Sequence, residues 1–114
     1  MILEYKIQTR EPGATIVELR GRLTLGNLLR TAEEDVKKIA SQPNSRTVLD
    51  LSGLDFVDSA GIGMLIMCAS AASLAGGKLH IAGATSRVQT AFEITKVHMV
   101  LSLFPTVDAA VAAL

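Results

Sequence analysis

Aromatic residues, cysteine and an excess of charge of one sign are all scarce or absent in this chain of 114 residues. Aromatic side chains make up 4% of it and tryptophan is missing, which disfavours a surface on which nucleic-acid bases stack. Lysine plus arginine number 11, and aspartate plus glutamate also number 11, so the net charge is zero. Because binding driven by bulk electrostatics needs a basic surface, we expect no nucleic-acid partner.

Long apolar runs and paired cysteines are missing as well. Cys68 is the single cysteine, so it can form neither a disulfide framework nor a cysteine metal site, which fits a reducing cytoplasm. The longest apolar run, residues 60–75, is shorter than the ~20 residues of a membrane helix and contains two serines. The first six residues lack the basic start and apolar stretch of a signal peptide. We therefore expect a cytoplasmic protein with no membrane insertion.

The first third of the chain predicts a hairpin followed by a helix. Leu3, Tyr5 and Ile7 alternate with polar residues, which is typical of a half-buried strand. Residues 11–14 place proline and glycine at the two central positions of a turn, and residues 15–19 return as a second strand. Asn27 is the predicted N-cap of a helix whose apolar residues recur at helical spacing.

The rest of the chain alternates strands and helices. We predict strands at residues 47–51, 78–82 and 99–104, and helices from Ser59 to about Leu74, from residues 85–86, and from about Pro105. The predicted connection 52–58 lies between the first of these strands and the helix at Ser59. A strand, a helix and a strand within about 35 residues predict parallel strands with a right-handed crossover. The expected fold class is α/β: one domain over residues 1–114, with a mixed, mostly parallel sheet of four to five strands, an N-terminal hairpin and about four helices.

Ser59 is the most informative residue of the chain. It lies between a predicted turn and an apolar helix, and Gly61 and Gly63 follow, so the surrounding backbone is bare. A helix N-terminus presents unpaired N–H groups and favours a negative group, so a phosphate on Ser59 can be accommodated there. The spacing alone leaves two interpretations open, a simple N-cap and a phosphoacceptor.

The neighbours of Ser59 also have two interpretations each. Asp58 either stabilises the turn or orients Ser59 and contacts a kinase. The two glycines either allow close packing of the helix on the sheet or leave a bare face for another protein. We expect Met64, Ile66 and Met67 to belong to the core rather than to an interface.

Signals of an enzyme are weak throughout the sequence. His80 and His98 have no Cys, Asp or Glu partner at metal-ligand spacing, so we expect both to be structural and expect no metal. Ser59 lacks the Gly-x-Ser-x-Gly elbow of hydrolases, and the two glycines after it lack the third glycine of a dinucleotide site. A small enzyme or nucleotide hydrolase is supported only by Asp58 next to Ser59. We expect no catalytic residues and no cofactor.

Two segments carry a resemblance to a known family. Residues 48–63, ending in Asp58-Ser59-Ala60-Gly61-Ile62-Gly63, resemble the signature of the STAS domain, the sulfate transporter and anti-sigma factor antagonist family. Residues 87–95 resemble its downstream helix. The order of predicted elements matches from end to end, so the resemblance covers nearly the whole chain.

The resemblance to stand-alone anti-sigma factor antagonists implies a function. In that family the serine after the aspartate, here Ser59, is phosphorylated by an anti-sigma factor with a histidine-kinase-like ATPase fold, which acts as a serine kinase. The unphosphorylated antagonist binds the anti-sigma factor and frees the sigma factor, and a phosphatase restores binding after phosphorylation. The expected partner-binding residues are Thr24, Asp58, Ser59, Ala60, Gly61, Ile62 and Gly63.

The sequence departs from the family pattern at two positions. Thr24 stands where members often carry an acidic residue implicated in partner contact or in phosphorylation, and Lys96 replaces a common glycine at a helix end. The first departure motivates an alternative expectation, in which the domain is a non-switching subunit of a stress-sensing scaffold or of a lipid transporter.

Overall fold

A computed structural model describes residues 2–114 and gives five strands and four α-helices within that range. In chain order these are β1 (Glu4–Arg10), β2 (Ala14–Leu23), α1 (Asn27–Ala40), β3 (Arg46–Val57), α2 (Ser59–Leu74), β4 (Lys78–Ala82), α3 (Ser86–Thr95), β5 (Ser102–Phe104) and α4 (Val107–Ala112). A short 3₁₀ helix, Val97–Met99, precedes β5. None of the helices in this range has the length and apolar character needed to cross a membrane.

The strands form one sheet in the order β1-β2-β3-β4-β5. Strands β1 and β2 are antiparallel, and the remaining neighbours are parallel, which confirms the predicted mixed sheet with an N-terminal hairpin. The turn between β1 and β2 contains Pro12 followed by Gly13, whose φ of 78° is the positive value expected at that position.

Helices α1, α2 and α3 contribute to one hydrophobic core on one face of the sheet. This arrangement follows from right-handed crossovers that always advance to the next strand, which place every crossover helix on the same face. Helix α4 covers part of the opposite face, where Val107, Val111 and Leu114 pack against a smaller cluster.

The prediction for β3 was wrong in length. The strand continues through the segment predicted as a connection and ends at Val57, because β2 is also longer than predicted and pairs with it up to Leu23. Register shifts lie between Glu18 and Arg20 and between Gly21 and Arg22, and they let the two strands stay paired past Ser52 and Gly53. As a result, β3 delivers the chain directly to α2.

Two smaller predictions were also wrong. Asn27 is the first residue of α1 rather than its cap, and Gly26 occupies the cap position without a side-chain hydrogen bond. The last strand covers only Ser102–Phe104, because residues 97–99 form the 3₁₀ helix instead.

Candidate functional site

Ser59 is the first residue of α2, directly after the end of β3. Its side chain is exposed, and within residues 2–114 it takes part in no hydrogen bond. The hydroxyl is therefore free to react with a group supplied from outside the chain. The position also lies at the carboxyl end of a central strand, where a partner has access to it.

Asp58, not Ser59, caps α2. Its Oδ1 accepts a hydrogen bond from the Gly61 backbone N–H at 2.9 Å, and its backbone has the extended conformation of a cap residue. The interpretation of Ser59 as a simple N-cap was therefore wrong, since Asp58 already fulfils that role. No hydrogen bond joins the Asp58 carboxylate to the Ser59 hydroxyl, so Asp58 does not orient it directly.

The two glycines of the motif have different environments. A Cβ at Gly61 would lie 2.2 Å from the backbone oxygen of Leu23 and 2.8 Å from Cγ2 of Val57, so only glycine lets α2 approach the end of β2. A Cβ at Gly63 would meet no atom within 4 Å. The close-packing interpretation is therefore confirmed for Gly61, whereas Gly63 borders open space and its contact with another protein stays a prediction.

The remaining predicted contact residues surround Ser59 at different depths. Thr24 follows the end of β2 and is half-buried, as are Ala60 and Gly63, whereas Gly61 and Ile62 are buried. Ala60 lines a shallow depression of about 380 Å³ between the start of α1 and the start of α2. Its other lining residues are Leu25, Gly26, Leu29, Arg30, Glu33 and Glu34.

Helix α2 has no charged residue over its 16 positions, and part of its apolar surface faces solvent. Met64 is buried as predicted, but Ile66 and Met67 are 37% and 47% exposed, so the prediction that both belong to the core was wrong. Because the helix is apolar all round, its sequence does not reveal which side faces the sheet. Together with Ser59 and Gly63, these two residues form an uncharged face about two turns long.

Two exposed leucines near this face were missed by the sequence analysis. Leu25, in the loop between β2 and α1, is 81% exposed, and Leu28, in the first turn of α1, is 49% exposed. The buried residues of α1 begin at Leu29, so Leu28 lies outside its buried face.

The other candidate reactive groups have structural roles. His80 is buried under α4, where its Nδ1 lies 2.9 Å from the Ala110 backbone oxygen and its ring lies against Phe104. Burial raises the pKa of the Cys68 thiol to about 12, so it remains protonated and poorly nucleophilic at neutral pH. Within residues 2–114, no three His, Cys, Asp or Glu side chains converge as metal ligands.

Lys96 ends α3 in the left-handed conformation, with φ of 61°. Glycine is the residue that adopts this conformation without steric cost, and it is the usual residue after a helix. The replacement of the family's glycine by Lys96 therefore affects a helix end on the surface, as predicted.

Solved structures with the same fold include both free-standing antagonists and transporter domains. An anti-sigma factor antagonist from Mycobacterium paratuberculosis is similar at 19% identity, with a TM-score of 0.81 over 98% of this chain and 93% of that one. The unphosphorylated form of the anti-sigma factor antagonist SpoIIAA is 12% identical, with a TM-score of 0.73 over 93% of this chain and 92% of that one. The phosphorylated form of SpoIIAA, from Bacillus, is also 12% identical, with a TM-score of 0.71 over 96% of this chain and 98% of that one.

The murine anion transporter Slc26a9 also contains a similar region, at 22% identity and a TM-score of 0.73, covering 88% of this chain and 17% of the transporter chain. At these identities the likeness establishes the fold alone. A search of curated protein sequences found no significant match. A sequence profile described as the STAS domain matches residues 5–110, nearly the whole chain. The chain therefore belongs to the STAS domain family.

Proposed function

We propose that this protein is an anti-sigma factor antagonist that acts by partner switching and is controlled by phosphorylation of Ser59. The observation that carries the proposal is the free, exposed hydroxyl of Ser59 at the first position of a helix that another residue already caps. In the unphosphorylated state the protein binds an anti-sigma factor and so regulates transcription that depends on a sigma factor. Phosphorylation ends this binding.

The surface around Ser59 suits a protein partner. The exposed side of α2 carries no charge, and Ile66 and Met67 offer apolar area without requiring the burial of a charged group. The proposed partner is an anti-sigma factor with a histidine-kinase-like ATPase fold, which places this function in the cytoplasm. This kinase transfers the γ-phosphoryl group of ATP to Ser59 Oγ. The products are a phosphate ester on Ser59, ADP and the proton released from the hydroxyl.

The effect of phosphorylation on binding follows from charge. A phosphate adds roughly −1.5 to −2 charges at pH 7, and burying it against an uncharged partner surface carries a desolvation penalty. A 1,000-fold loss of affinity requires about 4 kcal/mol, which one buried phosphate can supply. A phosphoserine phosphatase that removes the group restores binding. The unphosphorylated and phosphorylated forms of SpoIIAA support the proposal by likeness of fold.

The test compares Ser59→Ala and Ser59→Asp for binding to a candidate anti-sigma kinase from the same genome, measured by calorimetry with purified proteins. Ser86→Asp is the matched control, because Ser86 is exposed at the first position of α3, as Ser59 is in α2. We expect wild type, Ser59→Ala and Ser86→Asp to bind alike and Ser59→Asp to bind at least about 100-fold more weakly. Mass spectrometry after incubation with ATP and the kinase should place a single phosphate on Ser59.

A second candidate function keeps the fold without the switch. Thr24 stands where the family often has an acidic residue, and a region of similar fold occurs in the anion transporter Slc26a9. In this case the protein is a constitutive subunit of a stress-sensing scaffold or of a lipid transporter. Equal binding of one partner by Ser59→Ala and Ser59→Asp would contradict the switch and favour this alternative.

A further inference from the structure

Asp58 makes two hydrogen bonds that join separate parts of the site. Its Oδ1 accepts from the Gly61 N–H of α2 at 2.9 Å, and its Oδ2 accepts from the Leu25 N–H at 3.0 Å. Leu25 lies in the loop between β2 and α1, 33 residues away along the chain. The Asp58 N–H also donates to the Leu23 carbonyl at 3.2 Å, so the carboxylate lies against the end of β2.

Residues 24–26 form the loop between β2 and α1. Within the described part of the chain, this loop is attached to the start of α2 by the hydrogen bond from the Leu25 N–H to Asp58. Pairing of β2 with β3 stops at Leu23, and the helical bonds of α1 begin with the Gly26 carbonyl. Leu25 itself is 81% exposed, so side-chain packing contributes little to holding the loop. Asp58 therefore determines where Leu25 lies relative to Ser59.

A phosphate on Ser59 acts directly on this carboxylate. Ser59 follows Asp58 in the chain, and a phosphate beside an aspartate disrupts local structure by like-charge repulsion. The phosphate also competes with Asp58 for the N–H donors at the start of α2, because those donors favour any anion placed there.

We propose that Asp58 is a positioning residue whose carboxylate holds the Leu25 loop in place, and that phosphorylation of Ser59 releases this loop. This inference rests on the proposed function, and it adds a second component to the switch. The phosphate changes the charge of the surface and also displaces an exposed leucine from it. Such a change is local, because the two hydrophobic clusters that hold the helices on the sheet do not include Asp58.

The test follows the Leu25 amide by NMR in the whole protein, through its chemical shift and its deuterium exchange. It compares wild type, protein carrying phosphoserine at position 59, Asp58→Asn and Asp55→Asn. An asparagine at position 58 keeps one oxygen for the Gly61 N–H, but its NH₂ group cannot accept a bond from Leu25, so the helix cap survives. Asp55→Asn removes an equal charge three residues earlier, in β3, at an exposed side chain that faces Arg87.

We expect the Leu25 amide to exchange at least about tenfold faster in the phosphoserine protein and in Asp58→Asn, and at the wild-type rate in Asp55→Asn. An unchanged Leu25 amide in the phosphoserine protein would overturn the inference. Binding of the anti-sigma kinase is measured on the same samples to separate the two proposals. Lost binding with an unchanged amide refutes only the loop release, whereas a released amide with unchanged binding refutes the proposed function.

Discussion

Substitution of the two glycines after Ser59 by alanine tests the packing of the site, because the structure gives them opposite environments. At Gly61 a methyl group would lie 2.2 Å from the Leu23 carbonyl oxygen, which belongs to the backbone and cannot rotate away. At Gly63 the same methyl group would enter open space. Both changes give the same gain in helix propensity, so the difference between the variants isolates the contact with β2.

Overpacking costs about 1–3 kcal/mol, and replacing glycine by alanine in a helix returns about 1 kcal/mol. Since the clash at Gly61 is with main chain, we expect Gly61→Ala to destabilise the protein by about 2 kcal/mol. Gly63→Ala should stabilise it by about 0.5–1 kcal/mol. A change of 1 kcal/mol shifts the melting temperature of a domain of this size by about 4 °C. The melting temperature should therefore fall by about 8 °C in Gly61→Ala and rise by about 3 °C in Gly63→Ala.

The assay is urea and thermal unfolding followed by circular dichroism, with two-state behaviour checked by coincident transitions. A Gly61→Ala variant as stable as wild type would refute the close approach of α2 to the end of β2. A destabilised Gly63→Ala variant would refute the open environment of that position. Because Gly63→Ala keeps the fold, any loss of partner binding in it identifies this part of α2 as contact surface.

Three further predictions concern stability. Thr47 is fully buried, and its hydroxyl has no hydrogen-bond partner within residues 2–114. Thr47→Val should therefore raise the free energy of unfolding, measured by urea titration, by about 1 kcal/mol. A lower free energy of unfolding would contradict this prediction. Lys96→Gly should stabilise the protein by about 1 kcal/mol by relieving the left-handed conformation, whereas Asn44→Gly, at φ of 56°, should gain less because asparagine tolerates it. The hydrogen bond to Asp35 raises the pKa of Tyr5 to about 12. The folded state therefore retains the phenolic proton of Tyr5 to higher pH than the unfolded state does. The wild type should accordingly lose stability relative to Tyr5→Phe as the pH rises from about 10 through 12. Parallel plots of the free energy of unfolding against pH for the two proteins would contradict this.

The sequence predicted the elements whose signals are local. The alternation in β1 and the proline–glycine turn gave the hairpin, and α2 begins and ends at the predicted residues Ser59 and Leu74. The length of β3 was not predictable from local signals, because Ser52 and Gly53 are typical of a loop. They are strand residues only because the irregular end of β2 pairs alongside them.

By itself the sequence determined the class of the fold, the resemblance to the STAS family and the placement of Ser59 at the start of an apolar helix. The tertiary structure decided which residue caps that helix, which of its two glycines is buried, and which of its apolar residues face solvent. The physical reason is that α2 is apolar on every side, so its periodicity selects no inner face, and only docking against the sheet does so. The cap is decided in the same way, since Asp58 takes this role where the pairing of β2 with β3 ends.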